Sequence, residues 1–226
     1  MTHDDRAVTE PLVLDAAEIR VLGTLIEKHV TTPEYYPLTL NALVSACNQT
    51  TNREPITSYD ETVVARAIER LRVRGLVWEV TNSRAHKFGT PLGEKLHLGR
   101  PAVAVMCVLM LRGPQTPGEI RGRTGRMHAF ASIEEVDAVL DGLSRAEPPL
   151  VAKLPRQPGT KESRYAQLLG GSGGDSGPSL ATAATVIGSR PAEDGQIDQL
   201  ETQVEALRAE LSELRQRLED LTQRIG

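Results

Sequence analysis

Three helical segments closing on a short strand pair occur twice in this chain, and a final stretch carries an unbroken 3, 4 spacing of apolar residues. Together these predict a mainly α protein with small β wings: two tandem winged-helix domains plus a C-terminal coiled-coil helix. Helix, helix, helix, hairpin is the order of the winged helix-turn-helix, with the third helix in the recognition position and the hairpin as the wing. Chance patterning rarely repeats in the same order, so the two runs read as copies of one module.

The first copy starts where Asp15 and Glu18 form a capping box, after which Ile19, Leu22, Leu25 and Ile26 share one helical face to about His29. Pro33 and Pro37 stop that helix, and a second starts at Thr39 and reaches about Cys47. Beyond the polar loop 48–55, Ser58 with Glu61 is expected to cap a third helix. Its Val64, Ala67, Ile68 and Leu71 make an i, i+3, i+4, i+7 stripe that ends at Gly75. Residues 76–80 and 85–88 read as strands around a turn at 81–84. In the second copy, 101–111 is an apolar helix, and Thr116, Pro117 and Glu119 supply the N-cap, the first-turn proline and the capping acid of the next. Ser132 opens a helix to about Ala146, striped by Val136, Val139, Leu140 and Leu143. Residues 150–154 and 164–168 flank a Pro/Gly/Lys turn as the second hairpin.

These readings divide the chain into a disordered N-terminal tail (1–14), winged-helix domain 1 (15–98), winged-helix domain 2 (99–169), a flexible Gly/Ser linker (170–195) and a coiled-coil helix (196–226). The last segment carries Ile197, Leu200, Val204, Leu207, Leu211, Leu214, Leu218, Leu221 and Ile225, a four-heptad seam with Leu at every d position. That seam predicts a homodimer, and Glu210 at g opposite Arg215 at the following e favours parallel pairing. Folding of the helix back onto its own globular part is the alternative.

Hydrophobic residues are 39% and charged residues 25% of the 226, with formal charge −4. The charge is uneven: residues 15–169 carry 20 Lys+Arg against 17 Asp+Glu, or +3, while 170–226 carry 5 against 10, or −5. The total therefore lacks the signature of a strongly basic nucleic-acid binder, but the folded part is mildly basic. Cys47 and Cys107, with no CxxC partner, fit a reducing compartment. No secretory signal is read in the first ten residues, and the longest apolar run, 102–111, is short of the ~20 residues of a membrane span. A cytoplasmic protein without membrane contact is expected. The five histidines show no metal spacing, no phosphate or dinucleotide loop is present, and the G-x-S-x-G at 170–174 lacks the strand and helix of a nucleophile elbow. No enzyme, cofactor or metal is expected.

A winged helix that binds DNA needs donors at the start of its third helix and cations on its wing. On the second wing Lys153, Arg156, Lys161 and Arg164 stand against Glu162, and Arg121, Arg123 and Arg126 follow the second helix of that copy. In the first copy Arg84 and Lys87 lie on the wing, and Asn48, Gln49, Asn52 and Arg53 precede helix three. The opening turns 58–61 and 132–135 carry carboxylates; these repel DNA, and they also satisfy free N–H groups and the helix dipole. The expected function is double-stranded DNA binding, in a regulatory or chromosome-organising role, by a dimer whose modules add avidity. The alternative is a protein-protein interaction scaffold in which the winged helices dock an unidentified protein partner, with the Tyr35-Tyr36 pair between prolines as an anchor.

Several segments are more specific than their patterning. They are Glu27-Lys28, Pro33-Glu34-Tyr35-Tyr36-Pro37-Leu38-Thr39-Leu40-Asn41-Ala42-Leu43, Ala46-Cys47-Asn48-Gln49 and Asn52-Arg53-Glu54-Pro55. In the second copy they are Leu111-Arg112-Gly113-Pro114-Gln115-Thr116-Pro117-Gly118-Glu119 and Leu154-Pro155-Arg156-Gln157-Pro158-Gly159. With these, residues 14–169 resemble the YceH-like family of bacterial proteins. The resemblance implies tandem winged-helix domains and carries over no catalytic or binding residue. The linker and the heptads lie outside it.

Overall fold

A reciprocal capping box starts the first helix: Asp15 Oδ1 accepts from the Glu18 N–H, and the Glu18 carboxylate accepts from the Asp15 N–H, both at 2.8 Å. In this computed structural model, which describes residues 12–82, 85–156 and 162–170, that helix is α1 (Ala16–Thr31). A 3-10 turn (Pro33–Tyr35), β1 (Leu38–Thr39), α2 (Leu40–Cys47), α3 (Glu61–Val73), β2 (Trp78–Asn82) and β3 (Ala85–Gly89) follow. A short α4 (Leu92–Lys95) leads into α5 (Arg100–Arg112), α6 (Pro117–Thr124), α7 (Ile133–Ser144), β4 (Val151–Lys153) and β5 (Tyr165–Gln167). The described residues are mainly helical with two small antiparallel sheets, an arrangement compatible with the winged helix.

The first sheet has the order β1-β3-β2, pairing Leu38 with Phe88, Thr39 with Lys87 and Trp78 with Gly89. The second pairs β4 with β5, Lys153 opposite Tyr165, and Gln115 makes an isolated bridge to that same Tyr165. Gln115 thus stands to β5 as β1 stands to β3. In both halves the extended residue before the second helix pairs with the last strand of the hairpin.

The stripes lie where their spacing puts them. Val64, Ala67, Ile68 and Leu71 are buried, as are Val136, Leu140 and Leu143, with Val139 partly so. Helix α5 buries every residue from Ala104 to Leu111, which explains an apolar run with no polar face. It packs against α1 at Gly23, where an added Cβ would come within 2.9 Å of Leu111 Cδ2, and Cys107 Sγ lies 3.4 Å from the Gly23 carbonyl oxygen. Buried side chains of both halves form one cluster. Burial pushes both thiols above their usual pKa.

Four sequence expectations shift. Helix α3 is capped by Asp60, whose side chain accepts from the Val63 N–H at 2.8 Å, and not by Ser58. Asn48 holds Tyr59 at both its N–H (2.8 Å) and its carbonyl (2.7 Å), so the chain stays extended through 59 and the helix starts later. The first hairpin begins at Trp78, and Leu76 and Val77 before it are buried in the core. Two-residue β1 and four-residue α4 are additional. Leu14, assigned to the tail, is 3% exposed and donates its N–H to Leu169 O at 2.7 Å, beside a bridge between Val13 and Gly170. Residues 1–11, Arg84, Lys161, the linker beyond Gly170 and the heptad seam at 196–226 lie outside the described residues. Among those described, no helix is long and apolar enough to cross a membrane.

Candidate nucleic-acid interface

In the second half, α6 is capped by Thr116 and Glu119: Thr116 Oγ1 accepts from the Glu119 N–H at 3.2 Å and Glu119 Oε2 from the Thr116 N–H at 2.9 Å. Arg164, on the residue before β5, reaches the same carboxylate with Nη1 at 2.8 Å and Nη2 at 3.3 Å, and donates to Pro114 O at 2.9 Å. Burial pushes the Glu119 carboxyl up, but the Thr116 N–H and the charges of Arg164 and Arg123 outweigh it and hold it below the usual range. Arg164 is therefore a clasp between the second hairpin and α6. Arg121 donates to the carbonyls of Phe130 (3.4 Å) and Ala131 (2.8 Å), fixing the loop that leads to α7.

Helix α7 opens on carboxylates, and they are engaged locally. Ser132 accepts from the Glu135 N–H, and Glu135 accepts from the Ala131 N–H at 2.9 Å. A hydrogen bond from Ser132 holds the exposed Glu134 carboxyl below its usual range. On the hairpin, Lys153 lies over the Tyr165 ring, 5.7 Å from its centroid, and is exposed. Arg126 and Arg156 are exposed with no ion pair to any described residue.

The first-half candidates divide. Helix α2 ends with free carbonyls and a negative dipole end, and two arginines meet it. Arg20 Nη1 donates to Cys47 O (3.2 Å) and Nη2 to Pro55 O (2.6 Å), while Arg53 donates to Ala46 O through Nε (3.2 Å) and Nη2 (3.0 Å). Arg53 also bonds Glu27 at 2.7 Å, and its side chain is 0% exposed, so it closes the fold and does not face a ligand. Burial, then the charge of Arg53, hold the Arg20 guanidinium below its usual range. Asn48 is used on Tyr59 as described, Gln49 accepts from Lys28 and Arg53, and Asn52, at φ 61°, accepts from Arg112. Lys87 is half-buried on β3.

Two cations that the sequence reading passed over stand near this region. Lys28 and Arg112, each in the last turn of the first helix of its half, share a cleft with Arg123 and Arg126. Their matching positions in the two copies were the available signal. Among the described residues no cluster of His, Cys, Asp and Glu is set to hold a metal.

Residues 14–160, which carry the seven α-helices of the described residues and this cleft, match the family described as "Protein of unknown function, DUF480". The chain belongs to the DUF480 family. The UPF0502 protein of Opitutus terrae is 58% identical over 167 residues, 72% of this chain and 73% of the relative. That of Citrifermentans bemidjiense is 50% identical over 194 residues, 84% of this chain and 87% of the relative, and that of Solibacter usitatus 56% over 159 residues, 70% and 76%. The YceH-like resemblance read from the sequence is thereby borne out. The DUF480 match ends before Arg164 and does not reach the heptads.

Proposed function

We propose that this chain is a non-enzymatic DNA-binding protein made of two tandem winged-helix modules and acting as a dimer, in a regulatory or chromosome-organising role. The observation that carries the reading is the second hairpin: Lys153 and Arg156 project from a wing that follows the helix, helix, helix order, and neither has a carboxylate partner among the described residues. The acids at the start of α7 are used in capping, so contacts fall on phosphates more than on base edges, and binding is sequence-tolerant and salt-sensitive. The heptad seam supports dimerisation, which multiplies weak modules.

Fluorescence anisotropy of the full chain against duplex DNA at two salt concentrations tests this. Affinity is expected to fall with salt, and the double variant Lys153→Glu/Arg156→Glu to weaken binding and flatten the log–log salt slope by about two. No measurable affinity at low salt, or an unchanged slope in the variant, overturns it. Light scattering is expected to give the mass of two chains.

One observation favours the protein-docking alternative. Trp78 is 37% exposed, with Val73 and Val80 exposed nearby in sequence on α3 and β2, and Tyr35 is 71% exposed. Tyr36 is instead a plug: it stacks on His29 at 4.7 Å, meets Trp78 edge-on, and accepts the Thr90 N–H at 2.7 Å. Under this reading Trp78→Ala removes partner binding and DNA affinity is absent.

A further inference from the structure

The cleft that joins the last turns of α1 and α5 to α6 has a volume of about 510 Å³ and is half enclosed, a size that suits a small molecule. Its chemistry is lopsided. Lys28, Arg112, Arg123 and Arg126 line it against one carboxylate, Glu27, and that carboxylate is already bonded by the buried Arg53 at 2.7 Å, with Lys28 at 3.7 Å. Glu119 reaches Arg123 only at 3.8 Å. Arg123 Nη1 is closed off from water and has no acceptor among the described residues, a state that native structures rarely leave uncompensated. Burial, and next the positive charge of Arg123, hold the Arg112 guanidinium below its usual range, so like charges crowd together here. Beside the cations the wall is apolar, formed by Val108, Leu111 and Met127.

We propose that this cleft binds a small phosphomonoester, its dianionic head held by Arg112, Arg123 and Arg126 and a flat or apolar body lying against Val108, Leu111 and Met127. A phosphate accepts paired N–H bonds from several guanidiniums at once and matches the excess of positive charge better than a single carboxylate. Lys28 and Gln49 of the first half line the same cleft, so the site lies where residues of both halves meet. This gives the regulatory reading an effector site, yet it does not depend on DNA binding.

Calorimetry and thermal melting of the full chain test it with phenyl phosphate, adenosine monophosphate and inorganic phosphate, with phenol and adenosine as uncharged controls. The phosphomonoesters are expected to bind and raise Tm, inorganic phosphate to compete, and the uncharged controls to do neither. Arg123→Gln is expected to weaken phosphomonoester binding by about tenfold or more while melting near the wild type without ligand, since Nη1 has no acceptor to lose and the contact of Nη2 with Glu119 is long, at 3.8 Å. Arg145→Gln, an exposed cation outside the cleft, is expected to bind as the wild type does. Should Arg123→Gln fail to fold, Arg126→Gln, at an exposed residue with no ion pair to any described residue, carries the same expectation. Absence of binding by all three phosphates up to about 10 mM overturns the proposal, as does equal loss in Arg145→Gln. A wild type that binds no small phosphate but loses duplex affinity in Arg123→Gln overturns it too, assigning the cleft to backbone phosphate. Loss of the DNA reading with phosphomonoester binding intact leaves it standing.

Discussion

Arg53 shows how a residue's surroundings decide its role. In the sequence it is a cation in a polar loop ahead of a helix, indistinguishable from one that meets solvent or phosphate. Its partner Glu27 lies 26 residues upstream, and no spacing rule joins a loop to the far end of an earlier helix. The same holds for Arg164 and Glu119, 45 residues apart. Lys153 and Arg156, by contrast, are exposed, as cations on a polar hairpin are expected to be. Breaking the Arg53 pair leaves a half-satisfied, partly buried carboxylate: Arg53→Met is expected to cost about 3 kcal/mol by urea denaturation, and Arg53→Met/Glu27→Met less than the single variant. A double variant worse than the single contradicts this. Glu119 gives a pH signature. Its folded pKa is depressed below the ordinary 4.5, so its contribution is present above that value and is lost as pH falls through the folded one. Glu119→Gln keeps a capping side chain but not the charge. Its Tm deficit is expected at pH 7 and to shrink as pH falls below the ordinary 4.5; a deficit that does not shrink in acid counts against the assignment.

Elements with several periods were legible in advance, and those without were not. The stripe on α3, the capping box on α6 and the presence of both hairpins follow from local pattern because each uses residues three or four apart, or alternating apolar runs around a turn. A two-residue strand such as β1 has no period to detect, and its existence is settled by Phe88 across the sheet. The cap of α3 moved to Asp60 because Asn48, eleven residues back, holds Tyr59 extended. Within the first wing, Gly89 is demanded by Trp78 opposite: a Cβ there would overlap the indole ring. Gly89→Ala is expected to cost about 1–3 kcal/mol in thermal denaturation, and Trp78→Leu to relieve much of that cost when combined with it. Additive effects contradict the contact.

At the scale of the molecule, the sequence anticipated a mainly helical fold with small antiparallel sheets, and it said nothing of how residues far apart in the chain join. The joint is made by Gly23 against Leu111 and Met110 and by the fully buried face of α5, contacts between residues more than 80 positions apart. The cleft of Lys28, Arg112, Arg123 and Arg126 is likewise a product of the joint, so no reading of either copy alone reveals it. The hydrogen bond from Leu14 to Leu169 ties the first described residues to nearly the last. A nascent chain therefore cannot make this hydrogen bond until Leu169 has left the ribosomal tunnel, so during translation that closure comes after α1 to α7 have emerged.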